Sequence, residues 1–138
     1  MHPLEFRFKQ QLQQSSLWSP ADRLIVAISG GVDSVALTRL LHANDSAFEL
    51  AHVNYGLREG ADEDQAFVEQ LAMQLNVKVH LRRVTDRERA AAKSQSTQAW
   101  ARELRYDWFE AIAADSADEA NARILTAHHA EDVAETAL

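Results

Sequence analysis

An apolar run that leads into two adjacent glycines is the feature that constrains this chain most. Residues 24–28 are apolar and partly β-branched, which predicts a strand buried on both faces. Gly30 and Gly31 follow, and a helical spacing of apolar residues begins at Val32. A strand, a glycine-rich turn and a helix favour phosphate binding, because glycine permits positive φ and close approach of the backbone, and helix N-termini attract anions.

The loop is not a Walker A motif, because it lacks a lysine for the β- and γ-phosphates. It carries Asp33 instead, and a carboxylate beside a phosphate is repelled unless a Mg²⁺ ion bridges the two. A second interpretation is that Asp33 and Ser34 cap the helix and interact favourably with its dipole. The local pattern leaves both interpretations open.

Strands alternate with helices along the rest of the chain. The apolar spacing predicts strands at 24–28, 48–53, 77–81 and 123–127, and helices at 4–12, 32–42, 61–75, 95–114 and from 130 onward. Residues 85–96 are charged and ambiguous. The alternation predicts an α/β fold, a parallel sheet with helices on both faces. Ligands bind such sheets at the carboxyl ends of the strands, where the unusual motifs of this chain fall.

Two carboxylates near the end of the chain are a second candidate site. Asp132 and Glu135 are three residues apart, so on a helix they share one face. Such a pair can bind Mg²⁺, hold an ammonium group or act as a base, although an acidic first helical turn is also common. His128 or His129 with Asp132 imitates metal-ligand spacing, but nothing completes a zinc site.

Composition narrows the class of protein. The 138 residues include no cysteine, which excludes disulfides and thiolate chemistry, and no apolar run is long enough to span a membrane, so we expect a cytoplasmic protein. The net charge of −7 argues against binding nucleic acid over the whole surface. Residues 82–105, however, carry seven basic residues against three acidic ones, which predicts either a solvated charged face or a patch that faces a polyanion.

Four motifs in order resemble a known family. Residues 29–34 (SGGVDS) are similar to the loop of the PP-loop ATP pyrophosphatases, which cleave ATP between its α- and β-phosphates. Residues 52–58 (HVNYGLR), 101–106 (ARELRY) and 126–136 (TAHHAEDVAET) add a resemblance to the tRNA(Ile)-lysidine synthetases. The resemblance implies an adenine-nucleotide alpha-hydrolase-like, Rossmann-like domain. Alternatives are another PP-loop enzyme, such as a tRNA thiolation enzyme or an amide ligase, and a non-catalytic adenine-nucleotide-binding module.

The resemblance also implies a reaction and a set of site residues. The family uses ATP and Mg²⁺ to adenylate C2 of the wobble cytidine of isoleucine tRNA and then ligates free L-lysine there, releasing AMP and pyrophosphate. It implies catalytic roles for Asp33 and Asp132, with Asp33 also the metal ligand. The implied ATP-binding residues are Ser29, Gly30, Gly31, Val32, Asp33, Ser34 and His52, and the implied lysine-binding residues are Arg102, Arg105, Asp132 and Glu135.

The family's chains are longer than this one. We therefore expect residues 1–138 to be an N-terminal PP-loop ATP-binding catalytic domain, with the C-terminal tRNA-binding domains outside this chain. The expected partners are isoleucine tRNA and free L-lysine, with no membrane. A second copy of the chain, in a homodimer, is a further possible partner.

Overall fold

A parallel sheet of four strands organises the domain. The structure is a computed structural model, and it describes residues 23–29, 31–57, 59–92, 96–114 and 122–126. Its elements are β1 (Arg23–Ala27), α1 (Val32–Ala43), β2 (Glu49–Asn54), α2 (Ala61–Leu75), β3 (Val79–Arg83), α3 (Asp86–Ala91), α4 (Thr97–Ala114) and β4 (Ala122–Leu125). The helices predicted at 4–12 and from 130 onward lie outside the described residues.

The strand order is β3-β2-β1-β4, and each neighbouring pair runs parallel. The chain moves outward from β1 to β3 and then returns past β1 to form β4. The direction of winding therefore reverses between β1 and β4, and such a reversal opens a crevice at the carboxyl ends of the strands. The predicted parallel sheet is confirmed.

Helices cover both faces of the sheet, as predicted. On one face, α1 and α2 pack against β1 and β2 through a cluster that includes Leu37, Leu41, Val68 and Leu71. On the other face, α4 packs its Phe109 and Ile112 against Ile25 and Ala51. Burying a large apolar side chain contributes about 1.5–3 kcal/mol, so these two layers are the main stabilising contacts of the domain.

The third strand begins two residues later than the periodicity predicts. Val77 lies just after α2 and closes its end, because the Val77 N–H donates to the carbonyl of Ala72 over 3.0 Å. Asn76 caps the helix in the left-handed conformation, with φ +55°. Because Val77 takes part in this helix-terminating turn, it is not available to the strand, and β3 runs from Val79 to Arg83. The strand therefore includes Arg82 and Arg83.

The ambiguous charged segment contains a short helix, α3. Thr85 is its N-cap, and the Thr85 hydroxyl accepts a hydrogen bond from the Glu88 N–H over 3.2 Å. The Glu88 carboxylate accepts one from the Thr85 N–H over 3.0 Å. This reciprocal capping box satisfies two donors that a helix start otherwise leaves free, which explains why so short a helix forms.

An ion network joins three strands at the end of the sheet opposite the crevice. Arg23 donates to both carboxylate oxygens of Glu49, over 2.7 and 2.9 Å, and His80 Nε2 lies 2.7 Å from the same carboxylate. The pKa of Glu49 is lowered to about 2, chiefly by the hydrogen bond from Arg23 and further by His80, although burial opposes this.

Acid unfolding measures what this network contributes. Because the pKa of Glu49 is lower in the folded chain, its carboxylate stabilises the fold above about pH 4.5, and that contribution is lost as the pH falls toward 2. We expect Glu49→Gln to lower the free energy of unfolding at pH 7 by about 2 kcal/mol and to flatten its decline between pH 4.5 and 2. Denaturant titrations across this pH range test this, with exposed Glu110→Gln as the control. An acid dependence in Glu49→Gln identical to wild type would contradict it.

Candidate functional site

Two serine hydroxyls hold the loop that follows β1. Ser34 Oγ accepts a hydrogen bond from the Ser29 N–H and donates one to the Gly31 carbonyl, both over 3.2 Å. The Gly31 N–H in turn donates to Ser29 Oγ over 3.2 Å. Gly31 has an extended backbone, with φ −75° and ψ 166°, so it does not use the positive φ open to glycine. A Cβ at this position would lie 3.3 Å from Ser29 Oγ, a tight contact that a small shift of the Ser29 side chain would have to relieve.

The side chain of Asp33 is not a helix cap. Gly31 is the N-cap of α1, and no described side chain caps this helix by a hydrogen bond. Asp33 lies in the first turn, exposed, and makes no ion pair with another described residue. Its charge still interacts favourably with the helix dipole. The carboxylate is therefore available to a cation beside the loop, whereas the Ser34 side chain is buried within the loop.

Two adjoining hollows lie at the carboxyl ends of the strands. The first, about 260 Å³, lies between the loop and α4 and is lined by Ser29, Ser34, Tyr55 and Arg105, among others. The second, also about 260 Å³, lies between the end of β2 and the start of α2 and includes His52 in its wall. Ser29 and Tyr55 line both. Each hollow alone is slightly smaller than a typical ligand site of about 300–1,000 Å³, and the two together fall within that range.

His52 carries an unsatisfied acceptor. Its side chain is buried, and Nδ1 lies 2.7 Å from the carbonyl oxygen of Ile28. A carbonyl only accepts hydrogen bonds, so Nδ1 carries the proton and Nε2 of the neutral ring is an acceptor. Nε2 is buried and has no hydrogen-bond partner among the residues that the structure describes. Buried polar atoms are nearly always paired, so this one suits a ligand that donates a hydrogen bond.

Tyr55 and Arg105 form the wall of the first hollow opposite the loop. The Tyr55 hydroxyl donates to the Ala101 carbonyl over 3.1 Å, and its ring meets Trp100 edge to face with 6.1 Å between centroids. Burial raises the pKa of Tyr55, although the charge of Arg105 acts in the opposite direction. The hydroxyl therefore stays protonated and continues to donate at neutral pH.

The structure separates the two candidate arginines of α4. Arg102 and Arg105 both lie over the ring of Tyr106, at 5.4 and 5.6 Å from its centroid. Arg105 also lines the first hollow, whereas Arg102 is exposed and is not among the described residues that line it. Only Arg105 of this pair is therefore positioned beside the phosphate-type loop.

The remaining candidates divide into those at the crevice and those outside the described part. Ser29, Gly31, Ser34, His52 and Arg105 lie together at the carboxyl ends of β1 and β2. Val32 is 85% exposed, so only its backbone suits a role in this loop. Gly30, Asp132 and Glu135 lie outside the described residues.

Carboxylates of the same chain pair with three of the seven basic residues in the segment 82–105. Arg82 pairs with Glu88, Arg83 pairs with Asp62 over 3.0 Å, and Arg89 pairs with Asp86. Within the part of the chain that the structure describes, Arg87 is the one arginine of residues 82–89 without an ion pair. These pairings favour a solvated charged face over a patch that faces a polyanion.

The described residues contain neither a cluster of metal ligands nor a helix that could span a membrane. They contain no group of three or more histidine or acidic side chains that could hold a metal ion, which leaves Asp33 as a single carboxylate at the loop. None of their helices has the length and apolar character needed to cross a membrane.

A model of the PP-loop domain family matches residues 2–138. The chain belongs to this PP-loop family. The family binds ATP, which agrees with the serine-held loop and the adjoining hollows at the carboxyl ends of the strands.

Curated relatives of this PP-loop domain are tRNA(Ile)-lysidine synthases. It is 39% identical over 137 residues to that of Bacteroides thetaiotaomicron, covering 98% of this chain and 31% of the relative. It is 40% identical over 120 residues to that of Thermus thermophilus, covering 87% of this chain and 23% of the relative. The chain therefore spans less than a third of each of these two relatives.

Solved structures share the fold of this PP-loop domain. An NMN synthetase from Francisella tularensis superposes with a TM-score of 0.66 at 19% identity, over 90% of this chain and 53% of that one. A U34-tRNA thiolase from Methanococcus maripaludis gives 0.69 at 12% identity, over 91% of this chain and 44% of that one. Identities this low support the α/β architecture alone.

Proposed function

We propose that this chain is the ATP-binding catalytic domain of a tRNA(Ile)-lysidine synthase. ATP would adenylate the C2 oxygen of the wobble cytidine of isoleucine tRNA and release pyrophosphate. The ε-amine of free lysine would then attack C2, lose a proton to a base and expel AMP. The similarity to the synthases along nearly the whole chain supports this reaction. The observation that carries the proposal structurally is the presence of Arg105 in the same hollow as the loop serines, Ser29 and Ser34.

The two hollows fit the two ends of ATP. The triphosphate would lie against the loop and the start of α1, because a helix N-terminus attracts anions, and its proposed binding residues are Ser29, Gly30, Gly31, Val32 and Ser34. The adenine would lie by His52, whose unpartnered Nε2 can accept a hydrogen bond from the 6-amino group.

Asp33 fits a magnesium ion that is shared with the nucleotide. Mg²⁺ is commonly held by one or two carboxylates, waters and the phosphates of a substrate, so a single exposed carboxylate beside the loop is a sufficient protein contribution. When bound, Mg²⁺ would neutralise charge on the phosphates. The loop would keep its own part of the task, which is to hold a fixed shape against the triphosphate through the hydrogen bonds among Ser29, Gly31 and Ser34.

Lysine would be bound by one arginine of α4 together with the two carboxylates Asp132 and Glu135. Arg105 would bind its carboxylate, and Arg102 lies one helical turn away as the alternative. Asp132 and Glu135 would hold its ammonium groups, and Asp132 would take the proton from the attacking amine.

We assign most of the binding of tRNA to parts of the enzyme other than residues 1–138. The net charge of −7 opposes a polyanion, and Arg82, Arg83 and Arg89 are already paired with carboxylates. Within residues 82–89, Arg87 is the one arginine left without an ion pair to the described residues, so this stretch can neutralise few phosphates.

Nucleoside analysis of isoleucine tRNA tests the proposed reaction. The complete protein is incubated with ATP, Mg²⁺ and lysine, and the tRNA is digested and analysed by mass spectrometry. We expect lysidine to appear only when ATP and lysine are both present. A thiolated nucleoside, or ATP binding without any modified nucleoside, would instead identify a thiolation enzyme or a non-catalytic module.

The roles of Asp132 and Glu135 predict which step fails when they change. Asp132→Asn and Glu135→Gln remove charges that would face the ammonium groups of lysine. We expect both variants to slow lysine addition about a hundredfold and to leave adenylation within about threefold, so that adenylated tRNA accumulates. Single-turnover assays with labelled ATP measure the two steps separately. Equal loss of both steps without accumulation would assign these carboxylates to ATP or its metal.

A further inference from the structure

The guanidinium of Arg89 links two loops at the carboxyl ends of the strands. Its Nη1 donates to the Tyr55 carbonyl over 2.8 Å and to the Val84 carbonyl over 3.0 Å. Tyr55 directly follows β2 and Val84 directly follows β3. Asp86 accepts a hydrogen bond from the Nη2 of the same guanidinium. Arg89 therefore links the ends of two neighbouring strands, although its own helix has only six residues.

Gly56 makes room for this guanidinium. A Cβ at Gly56 would lie 2.5 Å from Arg89 Nη1, which is too close for a real side chain, and 3.2 Å from Cζ, which is a tight contact. Gly56 also has φ +66°, a conformation that other residues adopt only with strain. The backbone turns here so that Arg89 occupies the space that a side chain at position 56 would fill.

Asn54 fixes the same turn from the side of α2. Its buried side chain donates from Nδ2 to Asp62 and to Gln65, each over 2.9 Å. Its Oδ1 accepts a hydrogen bond from the Gly56 N–H over 3.0 Å. The turn after β2 is thus held on one side by Asn54 and on the other by Arg89.

Tyr55 is the residue that this turn presents to the candidate site. It lines both hollows, and its hydroxyl and ring contact α4 at Ala101 and Trp100. A shift of the Tyr55 carbonyl would therefore move a wall that both hollows share.

We infer that Arg89 is a positioning residue for the nucleotide site, which it shapes by fixing the backbone of Tyr55 and Gly56, and that it does not act as a contact for RNA. This inference rests on the proposed binding of ATP. A site whose loops are ordered in advance loses less entropy when the ligand binds. The hydrogen bonds of Arg89 to the two loops would therefore raise the affinity for ATP without any contact between Arg89 and the ligand. The planar fork of arginine serves several acceptors at fixed angles, which a lysine ammonium at the same position does not reproduce.

The affinity of the complete protein for ATP tests this inference by calorimetry. We expect Arg89→Met and Arg89→Lys each to raise the Kd for ATP about tenfold, since both lose the fork that orders the turn. Arg87→Met is the matched control, because Arg87 lies on the same short helix, exposed and without an ion pair to the described residues, and it should leave the Kd unchanged.

A second variant reports on the same contact from the other side. Gly56→Ala should raise the Kd for ATP by a similar factor, because its Cβ displaces the Arg89 guanidinium. Because both changes break the same contact, the double variant Gly56→Ala with Arg89→Met should raise the Kd for ATP by less than the product of the two single factors. The fluorescence of Trp100, which Tyr55 contacts, should shift in both single variants and not in Arg87→Met.

Several outcomes would overturn the inference. Wild-type ATP affinity in Arg89→Lys would show that charge alone matters. Wild-type ATP affinity in folded Arg89→Met, with only thermal stability or tRNA affinity reduced, would assign Arg89 a structural or RNA-contacting role. Absence of ATP binding by the wild-type protein would overturn the proposed function itself, which separates the two failures. If Arg89→Met does not fold, Gly56→Ala and Arg89→Lys decide the question.

Discussion

Asp33→Asn is expected to slow the release of pyrophosphate from ATP by about a hundredfold or more, because it removes a charge that would stabilise the transition state through Mg²⁺. The exposed carboxylate of Asp33 lies in the first turn of α1, beside the loop that Ser29 and Ser34 hold together. Asparagine keeps the shape of the side chain and removes its charge, so the loop should keep its geometry. A pyrophosphate-release assay with tRNA present, at a series of Mg²⁺ concentrations, measures the effect.

The control variant for Asp33→Asn must also remove a carboxylate from the first turn of a helix. Glu63→Gln meets this requirement, because Glu63 lies exposed in the first turn of α2, a helix that does not begin at the loop of Ser29 and Ser34. It loses the same favourable interaction with a helix dipole, which is worth about 0.3–1 kcal/mol. We expect Glu63→Gln to keep wild-type turnover. If Asp33→Asn also keeps it, Asp33 serves only the helix dipole.

Arg105→Met is expected to raise the KM for lysine about thirtyfold to a hundredfold, whereas Arg102→Met should raise it less than about threefold. The reason is position, because Arg105 lines the hollow beside the loop and Arg102 is exposed on the same helix. Losing a hydrogen-bonded charge pair to a substrate carboxylate costs about 2–2.7 kcal/mol, which corresponds to that factor in affinity.

Two measurements separate lysine binding from a general disturbance of the site. Steady-state incorporation of labelled lysine gives the KM, and single-turnover adenylation without lysine gives the first step. We expect Arg105→Met to adenylate tRNA at close to the wild-type rate. A larger effect from Arg102→Met than from Arg105→Met would reverse the assignment, and equal effects would mean that neither arginine alone binds the lysine carboxylate.

Local signals in the sequence determined most of the secondary structure. The helix predicted at 61–75 has the same bounds in the structure, because its apolar spacing, its acidic first turn and the Asn76 that ends it all act within a few residues. The loop after β1 was also recognisable, since its serines and Gly31 interact with one another over short sequence distances. The start of β3 was misjudged because Val77 has the alternation of a strand but closes the end of α2.

Tertiary structure alone decided which charged and polar side chains are available to a ligand. Arg83 and Asp62 are 21 positions apart, and Arg89 reaches the carbonyl of Tyr55 across 34, so no local pattern reveals these partners. Arg102 and Arg105 lie in one motif, and only the packing of α4 beside the loop separates them. Sequence patterns report interactions within a turn or two of chain, so this sequence determined its α/β elements and its phosphate-type loop. The crevice wall and the residues that position it depend on contacts between distant elements, which only the folded chain brings together.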